Sequence, residues 1–107
     1  MEYTICIMIE IRKTAQYNKW FTGLSDRNAR ARIDIRIRRL QLGNPGDIKP
    51  TRDGIFEIRI DYGPGYRVYF VNRNNKVIIL LGGGDKSTQD RDINKAITLS
   101  KNLGEEK

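Results

Sequence analysis

The residues best suited to chemistry lie on two neighbouring segments that alternate apolar with polar side chains. In the first segment the polar positions include Glu57 and Arg59, and in the second segment Arg67 and Tyr69 also alternate with core residues. This alternation predicts two strands of a hairpin, and both strands must turn their apolar side chains toward the same core. These four residues are therefore predicted to project together from the opposite, open face.

Side-chain parity also predicts the pairing across this hairpin. Arg59 should face Arg67 and Glu57 should face Tyr69, unless the register slips by two residues. Like charges directly opposed on adjacent strands are unfavourable, so the arginine pair indicates either a bound anion or neutralisation by a carboxylate, Glu57 or Asp61. Because Arg67 should lie on the open face, Arg67→Ala is predicted to leave the fold intact.

A second candidate site is the glycine-rich segment 82–88, GGGDKST. The three glycines are expected to end a strand and turn the backbone sharply, and the helix that follows would begin with unpaired amides able to hold a phosphate. The segment departs from a nucleotide-binding P-loop, since Asp85 stands where that motif needs glycine before Lys86. A phosphate site and a purely structural turn both remain open.

The elements that position these residues follow from hydrophobic periodicity. Alternation from Tyr3 to Ile11 predicts a first strand with one buried face. Thr14 then offers a cap for a helix whose aromatic stripe, from Tyr17 to Leu24, suits core packing. The fold is therefore expected to begin with a strand followed by a helix.

The apolar residues of segment 26–42 fit both the spacing of a strand and the spacing of a helix. Isoleucines at positions 33, 35 and 37 alternate with charged residues as in a strand, whereas apolar residues at 29, 33, 37 and 40 keep helical spacing. Caps before the segment and Gly43 after it favour a helix from about Asp26 to Leu42. Such a helix would carry a basic flank that is either a solvated face or a surface for RNA or an acidic partner, formed by Arg27, Arg30, Arg32, Arg36, Arg38 and Arg39.

The second half of the chain is predicted to be mostly sheet. Pro50 limits residues 47–50 to a short edge strand, because proline cannot donate to a ladder. The hairpin follows, and the unbroken apolar run 77–81 predicts a strand covered on both faces. Ser87 or Thr88 caps a last helix, and the charged tail 104–107 is expected to fray. The predicted order is a strand, two helices, an antiparallel meander of three or four strands and a C-terminal helix. This order predicts an α+β fold with a mostly antiparallel sheet.

Composition limits the class of protein. A chain of 107 residues suits one domain, and 38% hydrophobic with 31% charged residues is typical of a folded protein. Cys6 is the only cysteine, so no internal disulfide is expected, and the sequence contains neither a signal segment nor an apolar run long enough to span a bilayer. A cytoplasmic location is therefore expected.

The charge balance points to a polyanionic partner. Twenty Lys and Arg against thirteen Asp and Glu give a formal net charge of +7 and a pI near 9.8, which favours nucleic acid, although net charge also serves solubility. Histidine is absent, so the commonest general base and metal ligand are missing. Any chemistry must rest on Lys, Arg, Tyr, Asp, Glu, Ser or Thr, and no metal or other cofactor is expected.

Four segments together resemble the addiction module killer proteins, the HigB-like branch of the RelE/ParE toxin superfamily. The resemblance extends over residues 9–99, and its most specific parts are the arginine hairpin and the glycine–lysine segment. It is carried by residues 9–14 (IEIRKT), 42–47 (LGNPGD), 57–70 (EIRIDYGPGYRVYF) and 80–93 (LLGGGDKSTQDRDI). It implies a compact fold with two N-terminal helices on one side of a sheet and a concave, basic opposite face that takes RNA.

The resemblance also implies a metal-independent endoribonuclease that cleaves messenger RNA on translating ribosomes. Arg59, Arg67 and Lys86 match the basic positions that such ribonucleases place around the scissile phosphate. Two positions depart from the family pattern: Asp92 stands where some relatives have an aromatic residue, and Glu57 stands where some have lysine. Tyr69, Glu57 and Asp92 are the candidates for proton transfer, and contacts to RNA are also expected from Lys49 and Ser87.

The partner that the resemblance implies is a helix-turn-helix antitoxin encoded beside this chain. Arg32, Arg36 and Arg39 on the second helix are expected to bind an acidic antitoxin segment. Two alternatives share this fold: a ParE-like inhibitor of DNA gyrase that does no chemistry, and an inactive RNA-binding module.

Overall fold

The computed structural model describes residues 8–103, which form a five-stranded sheet with three α-helices. A single 3-10 turn, Lys86–Thr88, precedes the last helix. This architecture confirms the predicted α+β class. Among the described residues no helix is long and apolar enough to cross a membrane. In chain order the elements are β1 Glu10–Lys13, α1 Ala15–Thr22, α2 Arg27–Gln41, β2 Ile48–Pro50, β3 Phe56–Ile60, β4 Tyr66–Arg73, β5 Val77–Gly84 and α3 Gln89–Leu103.

The strands lie in the order β1-β5-β4-β3-β2. The meander from β2 to β5 is antiparallel, as predicted, and β1 joins it in parallel beside β5. The first strand occupies Glu10–Lys13, and the part of its prediction that covers residues 3–7 lies outside the described residues. The strand that ends at Pro50 lies at the edge of the sheet, where its missing N–H costs no ladder bond.

The ambiguous segment 26–42 forms the predicted helix, α2. Asp26 caps it by accepting hydrogen bonds from the amides of Asn28 and Ala29, which holds the pKa of this carboxyl below its usual range. Ile35 is 50% exposed, whereas a strand would have placed it on the same face as its two neighbouring isoleucines. The residues at helical spacing are buried instead, namely Ala29, Ile33, Ile37 and Leu40.

The sheet separates two apolar layers. On one face α1 and α2 pack against the sheet through a cluster that includes Tyr17, Ile33, Val68 and Leu80. On the other face α3 covers a second cluster, formed by Ile55, Tyr69, Val71, Ile79, Leu81, Ile93 and Ala96. The last helix therefore lies on the sheet face that was expected to stay open, because its own apolar stripe needs a surface to bury against.

The three consecutive glycines belong to β5 and do not form a turn, which corrects the prediction from sequence. None of them has a positive φ, so glycine is required there for space. A Cβ at Gly83 would lie 2.4 Å from the Trp20 ring, and a Cβ at Gly84 would overlap the Asp92 carboxylate. The glycines thus let one side chain from α1 and one from α3 rest directly on the strand backbone.

Candidate active site

The predicted constellation spans β3, β4 and the end of β5, close to the turn that joins β3 to β4. Arg59 is the Cα partner of Arg67, and Glu57 is the partner of Tyr69, which confirms the register expected from side-chain parity. On the next strand, Arg67 pairs with Gly84. The two arginines therefore stand on adjacent strands, next to the glycine over which Asp92 rests.

Each arginine of the opposed pair is neutralised by its own carboxylate. Arg59 donates from Nε and Nη2 to Asp47 Oδ1, at 3.2 and 3.0 Å, on the exposed side of the hairpin. Hydrogen bonding to Asp47 raises the pKa of Arg59 above its ordinary value. Arg67 Nη1 lies 3.5 Å from Glu57 Oε1. Neutralisation by a carboxylate is therefore the arrangement in this structure, and the partner of Arg59 is Asp47 in place of the predicted Glu57 or Asp61.

Glu57 and Tyr69 lie beneath α3, and their predicted place on an open face is wrong. Glu57 is 1% exposed and Tyr69 is fully buried. At the start of α3, Gln89 donates from Nε2 to Glu57 Oε2 at 2.5 Å. Arg67 is also mostly covered, with 12% of its side chain exposed. The helix packs over this part of the hairpin and leaves only the edge of the arginine accessible.

Two polar atoms in this buried cluster lack hydrogen bonds. Neither the Tyr69 hydroxyl nor Arg67 Nε has a partner among residues 8–103. Burial, followed by the negative charges of Glu57 and Asp92, raises the pKa of Tyr69 well above its ordinary value. The phenol therefore keeps its proton at neutral pH, which excludes it as a base and also makes it a weaker acid than an exposed tyrosine. Buried polar groups without partners are uncommon. Among the described residues the Tyr17 hydroxyl, on the other face of the sheet, is a third such group.

Asp92 joins the cluster from the first turn of α3. Thr88 donates from Oγ1 to Asp92 Oδ2 at 2.5 Å, and Arg91 Nε lies 4.0 Å from Asp92 Oδ1. The carboxylate lies over Gly84, the strand partner of Arg67. Unlike Glu57, it borders an open cleft between α1 and α3. Asp92 is itself mostly buried, with 9% exposed, but it is the predicted carboxylate that lines this cleft.

Lys86 is exposed at the end of β5, beside the turn of the hairpin. A Cβ at Gly65 would lie 3.5 Å from Lys86 Cβ, so the lysine begins next to the residues that join β3 to β4. Asp85 caps the short turn by accepting from Ser87 N at 2.8 Å and Ser87 Oγ at 2.5 Å, and these bonds lower the pKa of Asp85. The Ser87 amide is therefore already capped, which leaves Lys86 as the stronger candidate for a phosphate contact there.

The remaining predicted residues lie on the margins of the site. Lys49 is exposed on the edge strand β2, in register with Glu57. Among the predicted antitoxin contacts, Arg39 is exposed and the Arg32 guanidinium lies 4.6 Å from the centre of the Tyr62 ring. Arg36 instead donates to backbone carbonyls within the chain, those of Arg59, Asp47 and Pro45.

Sequence reasoning missed two residues that organise the site, Asp47 and Gln89. Asp47 holds Arg59 from a loop 12 residues away, and Gln89 holds Glu57 from a helix 32 residues away. Their local sequence gives no signal of these contacts, because both partners meet only after the sheet and α3 have formed.

Comparison with known proteins adds a family and a fold. Residues 19–102 match the family described as phage derived protein Gp49-like (DUF891). An uncharacterized protein of Haemophilus influenzae is 54% identical over 96 residues, which is 90% of this chain and 97% of that protein.

The fold is similar to that of solved RelE toxins. A mutant of the E. coli toxin RelE in the free state aligns with a TM-score of 0.69 at 14% identity, over 85% of this chain and 96% of that one. The RelBE2 toxin-antitoxin complex of Mycobacterium tuberculosis aligns with a TM-score of 0.60 at 18% identity, over 75% of this chain and 100% of the matched chain. The intact E. coli RelBE toxin-antitoxin complex aligns with a TM-score of 0.59 at 15% identity, over 72% of this chain and 95% of the matched chain.

Proposed function

The chain belongs to the phage-derived Gp49-like family, and from this membership and its RelE-like fold we propose that it is the toxin of a type II toxin–antitoxin module. Its activity in this proposal is metal-independent cleavage of messenger RNA, on translating ribosomes and hence in the cytoplasm. The four sequence segments described above further support a HigB-like member of the RelE/ParE superfamily.

The observation that supports a ribonuclease is the row of cations across the sheet. Arg59 and Arg67 are directly opposed on adjacent strands, Lys86 lies beside the turn that joins those strands, and Asp92 borders the same region. Three positive charges at this spacing suit a phosphodiester whose negative charge grows in the transition state. A substrate phosphate would compete with Asp47 for Arg59 and with Glu57 for Arg67.

The proposed reaction is attack of a ribose 2′-hydroxyl on the adjacent phosphorus. The bond from phosphorus to the 5′ oxygen breaks and that oxygen takes up a proton, leaving a 2′,3′-cyclic phosphate on one fragment and a 5′-hydroxyl on the other. Water can then open the cyclic phosphate to a 3′-phosphate. Arg67 and Arg59 bind the nonbridging oxygens, and Lys86 adds a third charge. Lys49 and Ser87 extend the contacts along the RNA backbone.

Proton transfer in this proposal falls to Asp92 as the base. The carboxylate borders the open cleft, whereas Glu57 and Tyr69 are covered by α3. Tyr69, which keeps its proton, is suited only to protonating the leaving oxygen, and that role requires α3 to move. Glu57 serves mainly to hold Arg67 in place.

The proposed partner is an acidic segment of an antitoxin bound along α2. Two exposed apolar side chains one heptad apart, Ile35 on α2 and Leu42 at its C-cap, accompany the exposed Arg32 and Arg39 of this helix. Apolar contacts flanked by positive charge suit an acidic amphipathic segment. Arg36 is left out of this surface because its guanidinium is engaged inside the chain.

Primer extension on cellular transcripts after brief induction of the chain tests the proposed function. We expect new 5′ ends within reading frames, and we expect them to disappear when the neighbouring gene is induced together with the chain. Intact RNA with broken DNA would instead identify a gyrase inhibitor. Cleavage that no adjacent gene product suppresses would contradict the toxin–antitoxin assignment.

Replacing Lys86 by alanine is expected to weaken RNA binding at low salt and to reduce its dependence on salt. Loss of one phosphate contact lowers the slope of log affinity against log salt by about 0.7 for single-stranded RNA. Lys76→Ala is the matched control, because Lys76 is exposed at the opposite end of β5. Equal slopes for the Lys86→Ala and Lys76→Ala chains would show that Lys86 does not contact phosphate.

A further inference from the structure

We infer that the cleft between α1 and α3 is a nucleotide-binding subsite that takes one base of an RNA strand against Trp20 and its phosphates beside Lys19, Arg91 and Lys95. This α1–α3 cleft has a volume of about 540 Å³, which is in the range of small-ligand sites. The inference rests on the proposed function for its RNA substrate, but the cleft lies outside the arginine row that was predicted from the sequence.

The floor of the cleft is a stretch of strand edge without a neighbouring strand. The pairing of β1 with β5 ends at Lys13 and Leu80, and the Gln16 side chain then bonds to the Leu81 carbonyl. Beyond that point the described residues provide no strand beside Gly82–Gly84, while β4 pairs with the other side. An edge of this kind presents backbone donors and acceptors without a strand partner, and Gly83 and Gly84 are partly exposed there, whereas Gly82 is buried.

Trp20 forms one wall and is held in a fixed position. Its ring rests on the backbone of Gly83 and packs against Tyr17, with 5.8 Å between ring centroids. The side chain is only partly buried, and it lines the cleft. A partly exposed aromatic ring that does not have to be ordered on binding is a suitable stacking surface for a base.

The charge of the cleft favours an anionic ligand. Lys19, Arg91 and Lys95 line it, together with the carboxylates of Asp85 and Asp92. Both carboxylates already accept hydrogen bonds, from Ser87 and Thr88 respectively. Among residues 8–103, neither lysine forms an ion pair. Arg91 Nε lies 4.0 Å from Asp92 Oδ1, so the positive charge available to a ligand is mainly that of Lys19 and Lys95. Two unpaired lysines suit a phosphate better than an uncharged peptide strand, which is the other ligand that a free strand edge accepts.

The position of the cleft gives the bound nucleotide a role in specificity. Asp92 borders both the cleft and the Arg67–Gly84 pair. Trp20 lies over Gly83 on one face of β5 and Asp92 lies over Gly84 on the other, so an RNA strand passing around this strand edge would place one base on Trp20 and a phosphate toward the arginines. The cleft would then read the base next to the cleavage position.

The fluorescence of Trp20 provides a direct test, because it is the only tryptophan in the chain. The purified chain is titrated with a 2′-O-methyl tetraribonucleotide, which binds without being cleaved, and separately with inorganic phosphate. We expect saturable quenching by the oligonucleotide and none by phosphate. Lys19→Ala and Lys95→Ala should each raise the Kd about tenfold at low salt, because each removes a phosphate contact.

Lys101→Ala is the matched control, since it removes the same charge from an exposed position of α3 outside the cleft. The inference is overturned if the oligonucleotide does not quench Trp20, or if the two cleft variants bind like Lys101→Ala. Quenching by the neighbouring gene's product and not by the oligonucleotide would assign the cleft to the antitoxin. RNA cleavage without quenching would contradict nucleotide binding in the cleft but not the proposed nuclease activity. Quenching without cleavage would contradict the nuclease activity but not nucleotide binding in the cleft.

Discussion

Arg67→Lys is expected to slow RNA cleavage about 100-fold while the chain stays folded, a loss of the size seen when one transition-state contact is removed. Lysine keeps a positive charge beside the buried Glu57 carboxylate, so the interior remains neutralised. It lacks the planar fork with which arginine binds two phosphate oxygens at once. Growth arrest and primer extension measure the effect, and circular dichroism checks the fold.

Arg67→Ala should abolish growth arrest, but this result would not distinguish a loss of catalysis from a loss of folding. The sequence predicted an arginine on an open face, whereas the structure places it against a fully buried carboxylate that alanine would leave unpaired. For this reason the lysine variant is the decisive one. Arg38→Lys is the matched control, because Arg38 is exposed on α2, on the other side of the sheet. A folded Arg67→Lys chain that cleaves RNA as fast as Arg38→Lys would refute the role of Arg67.

Glu57→Ala is expected to lower the free energy of unfolding by about 3 kcal/mol, the scale for breaking a buried ion pair. The variant leaves the Arg67 guanidinium mostly buried without its counter-charge and removes the acceptor of Gln89. Urea denaturation of the purified chain measures the change. Glu10→Ala is the matched control: its carboxylate lies closer to an arginine, 2.8 Å from Arg12 Nε, but the pair is exposed, so its removal should barely change stability.

A double variant separates the ion pair from the packing around it. Glu57→Leu with Arg67→Met replaces both charges by apolar side chains of similar size, and we expect it to regain most of the stability that Glu57→Ala loses. If Glu57→Ala is no more destabilising than Glu10→Ala, Glu57 does not anchor the hairpin to α3. In that case a role for Glu57 in proton transfer would regain support.

The sequence by itself determined the arrangement within the hairpin and the nature of α2. Strand side chains alternate with a period of two, so a single buried face was enough to predict that Arg59 faces Arg67. Helix caps are equally local, which is why Asp26 could decide between helix and strand for the segment that follows it. Both predictions depended only on residues close together in the chain.

Only the tertiary structure decided which side chains a substrate can reach. The apolar stripe of α3 predicted a helix with one buried face, but not that this face covers Glu57 and Tyr69 and leaves Asp92 at a cleft. The glycines of β5 were misread for the same reason: they are required by Trp20 and Asp92, which approach from two different helices. Contacts between residues distant in sequence depend on how helices pack on the sheet, and a local pattern contains no record of that packing.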